Sequence, residues 1–189
     1  MISRVYALHK PRGTLSSSVS EAGAPTVYAL LPEPYRAFFA VGRLDKDSEG
    51  LLLFASDSRF AQRLMDPEGV SKIYVVTVEG FPGEEDLASI RAGGLSIDGR
   101  EARPAEVVRL GKAPRSGTRF QVTLHEGRNR EIRRLFRAAG FKVRRLVRVA
   151  VGSVELSDLP AGGGRELSPS EVQRLQADSR ERSVFQYRP

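Results

Sequence analysis

A carboxylate stands where a basic chain would not be expected to keep one. Residues 42–53 read Gly-Arg-Leu-Asp-Lys-Asp-Ser-Glu-Gly-Leu-Leu-Leu. Asp45 follows an arginine and a leucine. A charged turn and Gly50 then lead into the apolar run Leu51–Phe54. At the mouth of a buried strand, desolvation raises a carboxyl pKa and a neighbouring cation lowers it. A carboxylate so placed can act as nucleophile or base in ways a solvated one does not. Asp47 and Glu49 read instead as the solvated surface of the turn. The acidic spacing also resembles the start of a calcium loop, but such a loop needs a bidentate glutamate at its twelfth position. That position here is Ser56. Asp45 and Asp47 could pose as the carboxylate pair of a glycoside hydrolase. The adjacent Arg43 and the basic chain suit a nucleic-acid substrate better.

Three further segments carry chemistry-bearing side chains. His125-Glu-Gly-Arg-Asn-Arg-Glu-Ile-Arg-Arg-Leu-Phe136 is a glycine turn feeding a helix. Arg130, Arg133, Arg134 and Arg137 share its polar side at spacings of three, four and seven. A solvated basic face accounts for Arg137 as well as function does. A polyanion, or Asp45 itself, would relieve the repulsion among the four. Lys72-Ile-Tyr74 places a tyrosine on a strand, which is commonly a core or edge position. Lys10-Pro-Arg-Gly13 is a basic turn that could grip phosphate or simply face water.

These residues need a scaffold, and the pattern supplies one. Strands are expected at Val5–Leu8, Leu51–Ala55, Lys72–Val78, Ala105–Leu110, Arg119–Leu124, Lys142–Val149 and Gly152–Leu156. Helices are expected at Thr26–Leu31, Ser56–Met65 (capped by Asp57 or Ser58) and Glu84–Ala92. The strongest helix signal is Asn129–Ala139, with Ile132, Leu135, Phe136 and Ala139 on one face, Asn129 as cap and Gly140 at the left-handed stop. Ser168-Pro-Ser-Glu171 is a capping box that opens a last helix. Short strands mixed with a few helices, without regular β-α-β alternation, predict an α+β fold with a largely antiparallel sheet.

Composition narrows the classes further. The chain has 189 residues, 40% hydrophobic and 28% charged, with a net charge of +7. That length suits one domain, and the charge favours a polyanionic partner. There is no cysteine, which excludes disulfides and thiolate metal sites and makes the cytoplasm the expected compartment. No apolar run reaches the ~18 residues of a membrane helix. His9 and His125 are the two histidines and form no ligand cluster. Neither a phosphate loop nor a Gly-x-Ser-x-Gly elbow occurs.

Taken together, the segments resemble the pseudouridine synthases that isomerise uridines in ribosomal RNA. Gly42-Arg-Leu-Asp45 through Leu53 resembles the family's catalytic motif, Lys72-Ile-Tyr74 its second, and Glu126-Gly-Arg-Asn-Arg-Glu-Ile-Arg-Arg134 its third. Leu146-Val-Arg-Val-Ala-Val-Gly152, Leu159-Pro-Ala-Gly and Arg165-Glu-Leu resemble its C-terminal signature. Within the superfamily the chain is similar to the RsuA branch. There its spellings most resemble the E-type synthases of large-subunit ribosomal RNA. Glu131 departs from the pattern, which carries glutamine there.

The resemblance implies the pseudouridine synthase catalytic fold, a mainly antiparallel mixed sheet with flanking helices and a central active-site cleft. It implies one catalytic domain over 1–178, without an N-terminal S4 domain, and a charged tail over 179–189. It implies Asp45 as the essential carboxylate, acting at C1′ or C6 as nucleophile or at C2′ as base. It nominates Arg133 as the salt-bridge partner of Asp45. Tyr74 would stack on the uracil and assist removal of the C5 proton, and Arg43 would fill the stack vacated by the flipped base. Lys10, Arg12 and Arg130 are candidates for phosphate contact. The partner is ribosomal RNA of the large subunit, with no metal, no cofactor and no membrane, and the protein is expected to be a monomer. A small-subunit RNA target, a non-catalytic RNA-binding or ribosome-assembly protein, and a glycosidase-like nucleoside enzyme are the rival readings.

Overall fold

The computed structural model describes residues 3–179 except 22, 67, 68, 98, 115, 116 and 126. Its strands are β1 Val5–Lys10, β2 Phe39–Ala40, β3 Glu49–Ala55, β4 Lys72–Glu79, β5 Ser96–Ile97, β6 Arg100–Glu101, β7 Glu106–Ala113, β8 Gly117–Leu124, β9 Val143–Val151, β10 Val154–Glu155 and β11 Gly164–Glu166. The helices are α1 Val27–Leu30, α2 Ser58–Met65, α3 Glu84–Ala92, α4 Glu131–Ala138 and α5 Pro169–Asp178. The main sheet runs β11-β1-β3-β9-β4-β8-β7, with β2 on β3 and β10 on β9; β5 and β6 form a separate ribbon.

The fold is α+β, as the mixture of short strands and helices predicts. Every neighbouring pair is antiparallel but one. β3 and β9 run parallel, and they meet only at Glu49↔Val147 and Gly50↔Arg148. This short joint unites β11-β1-β3 with β9-β4-β8-β7.

The apolar run in β3 lacks alternation because both faces of the strand are covered. Leu51 and Leu53 pack with Phe60 and Leu64 of α2 and with Val172 and Leu175 of α5. Leu52 and Phe54 share the opposite core with Leu87 and Ile90 of α3 and with Ile132, Leu135 and Phe136 of α4. The joint between the half-sheets therefore sits between two cores, and Asp45 lies just before it in the chain.

Local signals in the sequence hold at several helix ends. Asp57 caps α2 by accepting hydrogen bonds from the amides of Arg59 (2.7 Å) and Phe60 (3.0 Å). The Ser168–Glu171 capping box opens α5, with the Ser168 amide donating to Glu171 Oε2 at 2.8 Å. Gly140 has φ +89° at the end of α4.

The start of α4 differs from expectation. Asn129 does not cap it. Arg130 precedes the helix in a left-handed conformation, φ 52° and ψ 29°. Asn129 Oδ1 instead accepts from Arg134 Nη2 at 3.1 Å, and Glu131 Oε2 accepts from the Arg128 amide at 3.0 Å. The strands β2, β5, β6 and β11 carry no apolar alternation, and pairing partners define them: β11 exists because Gly164–Glu166 pair with Tyr6–Leu8. The expected tail lies outside the described residues from 180 onward.

Candidate active site

Asp45 opens a tight turn in which the Ser48 amide donates to the Asp45 carbonyl at 3.0 Å. The chain from the end of β1 to α1 clasps this turn at three points. Ser16 Oγ donates to the Leu44 carbonyl at 2.8 Å and accepts from the Leu44 amide at 3.1 Å. The Gly13 amide donates to the Lys46 carbonyl at 2.7 Å. Lys10 Nζ donates to the carbonyls of Ser48 (2.8 Å) and Pro11 (3.2 Å). Lys10 is thus fully buried and is not placed to contact phosphate. Burial pulls its ammonium pKa down to about 8, against the opposing attraction of Asp45, Asp47 and Glu49. Its place on a strand paired with β3 directs it inward, which the basic turn beside it does not reveal.

A cleft of about 640 Å³ opens at this turn. Arg43, Asp45, Tyr74 and Arg130 line it, with Leu44, Ile132 and Leu146 among its apolar walls. The volume lies in the range of ligand clefts, roughly 300–1,000 Å³. Asp45 keeps 27% of its side-chain surface, so it is accessible while backed by the buried Leu44. Tyr74 is 8% exposed on β4. Arg43 stands exposed at the rim.

The ion pairs correct the expected partner. Arg130 Nη1 lies 3.6 Å from Asp45 Oδ2. Arg130 also grips Asp47 in a fork, at 2.9 Å to Oδ1 and 3.1 Å to Oδ2. Arg133, expected on Asp45, instead lies 3.3 Å from Asp47 Oδ2 and donates to the Asp47 carbonyl at 3.0 Å. The left-handed backbone at Arg130 throws that side chain toward the turn, which regular helical spacing would not do. Arg133 sits within α4, largely buried, beneath Asp47.

Asp47 and Glu49 are correspondingly more than solvated surface. Burial would raise the Asp47 pKa, but the Arg130 hydrogen bond and the charges of Arg133 and Arg130 outweigh it and hold it below the usual range. The Arg145 hydrogen bond does the same for Glu49, against burial; Arg145 Nη2 stands 2.9 Å from Glu49 Oε2. Asp47 anchors the Asp45 turn to α4, and Glu49 anchors it to β9.

A second concavity, of about 940 Å³, adjoins the first at Arg130, which lines both. Arg12, Arg133, Arg134, Arg137 and Lys142 line it. Among the described residues, no group of three His, Cys, Asp or Glu side chains could hold a metal ion. No helix among them is long and apolar enough to cross a membrane.

Two lining residues were missed by sequence reasoning about the site. Lys72 and Arg148 share the cleft wall with Tyr74. Period-2 alternation in Lys72-Ile-Tyr74 puts Lys72 on Tyr74's face and so could have found the first. Arg148 is found only through the pairing Tyr74↔Arg148.

Fold and site together define an α+β protein with a carboxylate-bearing cleft rimmed by arginines. The family model for RNA pseudouridylate synthase matches residues 4–138. The chain belongs to this family, in its RsuA branch. It is 38% identical over 174 residues to ribosomal large subunit pseudouridine synthase B of Bacillus subtilis, covering 91% of this chain and 71% of that one. The Salmonella typhimurium protein of the same name is 40% identical, over 92% of this chain and 60% of that protein. A crystal structure of a pseudouridylate synthase superposes with a TM-score of 0.80 at 29% identity, over 92% of this chain and 74% of that one.

Proposed function

We propose that this synthase isomerises one uridine of large-subunit ribosomal RNA to pseudouridine, acting as a cytoplasmic monomer without metal or cofactor. The observation that carries the reading is the meeting of Asp45, Tyr74 and Arg130 in one cleft, with Arg130 3.6 Å from the Asp45 carboxylate. The Arg130 guanidinium stands beside the carboxylate that attack or proton abstraction requires. The relatives' names support the large-subunit target.

The target uridine leaves the RNA helix to enter the cleft. Tyr74 stacks on the uracil, and exposed Arg43 fills the vacated position. With Asp45 acting on the sugar or base, the C1′–N1 bond breaks, the uracil turns in place and C5 bonds to C1′. C5 gives up a proton and N1 gains one, so atoms and oxidation states balance. A non-catalytic RNA-binding role leaves Asp45 without a purpose, since a carboxylate repels phosphate.

Mapping pseudouridine in ribosomal RNA from cells with and without the gene tests the reading. One large-subunit position should lose the modification and regain it on incubation with purified protein. A deletion strain with an unchanged map of both ribosomal subunits would refute it.

Arg12 and Arg137 face the second concavity beside Arg130, which suits them to phosphates flanking the target. Arg137→Gln should weaken RNA binding uniformly across sequences and lower the slope of log affinity against log salt by about 1. Filter binding at several salt concentrations reads this; an unaltered slope would return Arg137 to plain surface.

A further inference from the structure

We infer that Lys72 and Arg148 form a cationic wall of the cleft that binds the uracil carbonyl oxygens and takes up negative charge as the C1′–N1 bond breaks. The inference rests on the uridine-isomerising reading and adds two substrate-contacting residues to it.

The wall follows from strand geometry. Lys72 and Tyr74 lie two residues apart on β4, and their side chains share one face. Arg148 on β9 pairs directly with Tyr74 and presents its side chain beside it. All three line the cleft. A base stacked on Tyr74 therefore has two cations at its edge.

Both cations are buried and, among the described residues, short of acceptors. Arg148 is 4% exposed. Its Nε donates to the Leu51 carbonyl at 2.7 Å, and its Nη2 is buried with no hydrogen-bond partner among the described residues. Lys72 is 9% exposed, and its Nζ reaches the His125 carbonyl only at 3.5 Å. Leaving buried donors short of acceptors is costly, more so when they are charged. An acceptor-bearing ligand removes that cost.

The charges facing Lys72 come from three elements: Arg148 on β9, Glu131 at the start of α4, and Asp66 just after α2. Glu131 also lines the cleft and is 3% exposed. It offsets part of the positive charge and so keeps two cations tolerable side by side. Burial and Arg148 lower the Lys72 pKa to about 8.

Uracil supplies what the wall lacks. O2 and O4 are neutral acceptors in the bound uridine. When the C1′–N1 pair stays with the base, its charge delocalises over N1, O2 and O4; the same electrons then form the C5–C1′ bond. Preorganised donors aimed at such developing charge in a dry site are worth roughly 10²–10³ in rate.

The test uses purified full-length protein and ribosomal RNA in single-turnover assays, with UMP binding measured alongside. Lys72→Met should lower the rate about 10²-fold and weaken UMP binding, with its melting temperature near wild type. Wild-type UMP affinity should fall as pH rises through about 8, where the Lys72 ammonium loses its proton; Lys72→Arg should lessen that fall. A folded Lys72→Met enzyme within threefold of wild type in rate and UMP affinity overturns the wall. If Lys72→Met does not fold, a folded Lys72→Gln enzyme within the same limits overturns it. Wild-type protein whose UMP binding depends on Lys72 but which makes no pseudouridine would uphold the wall and refute the proposed reaction.

Discussion

Asp45→Asn is expected to slow pseudouridine formation by about 10³–10⁴-fold while leaving RNA affinity within a few-fold of wild type. The two side chains have nearly the same shape, so the turn has no steric reason to move. Its restraints lie elsewhere: Ser16 on Leu44, Lys10 on Ser48, and the fork of Arg130 on Asp47 at 2.9 and 3.1 Å. Arg130 therefore keeps its position when its 3.6 Å partner becomes neutral. The loss is chemical, since an amide neither attacks a sugar carbon nor accepts its proton. Single-turnover assays on large-subunit ribosomal RNA, paired with binding measurements, separate the two effects. A variant retaining more than a tenth of the wild-type rate would remove Asp45 from the chemistry.

Gly50→Ala should be the most damaging small substitution for stability. Gly50 has φ +109°, and an added Cβ would lie 2.2 Å from the Arg148 carbonyl oxygen and 2.6 Å from its amide nitrogen. The clash is with backbone, so no rotamer change relieves it. Left-handed strain of about 1–2 kcal/mol adds to an overpacking cost of about 1–3 kcal/mol. The melting temperature should drop by about 10 °C. Because this pair is half of the parallel contact between β3 and β9, activity should fall further than stability alone accounts for: the joint carries the Asp45 turn on one side and the Lys72, Tyr74 and Arg148 wall on the other. Thermal denaturation of the purified variant decides the first point. A melting temperature within about 2–3 °C of wild type would show that the joint yields at little cost.

Much of the architecture was legible because it is local or periodic. The face of Ile132, Leu135 and Phe136 identified α4 and its inward side; Leu51–Ala55 identified a buried strand; Ser168–Glu171 announced α5. These signals depend on residues a few positions apart, whose geometry the backbone dictates. The opening of α4 was less legible. The sequence offered Asn129 as cap, and the family resemblance nominated Arg133 as the partner of Asp45. The left-handed residue at Arg130 precedes the helix instead and brings Arg130 itself to the carboxylate. Lys10 was misread as a phosphate ligand because its burial depends on β3, some forty positions along the chain.

The order of motifs, the acid at Asp45, the tyrosine at Tyr74 and the arginine-rich helix were determined by sequence alone, and they suffice to expect a pseudouridine synthase. Which charges meet was decided only by the tertiary structure. Arg130 reaches Asp45, Arg133 reaches Asp47, Lys10 turns inward, and Arg148 comes to stand beside Tyr74. The physical reason is range: helix and strand periodicity act over a few residues, whereas an ion pair depends on a few ångströms between side chains set by strand register and by a single backbone angle.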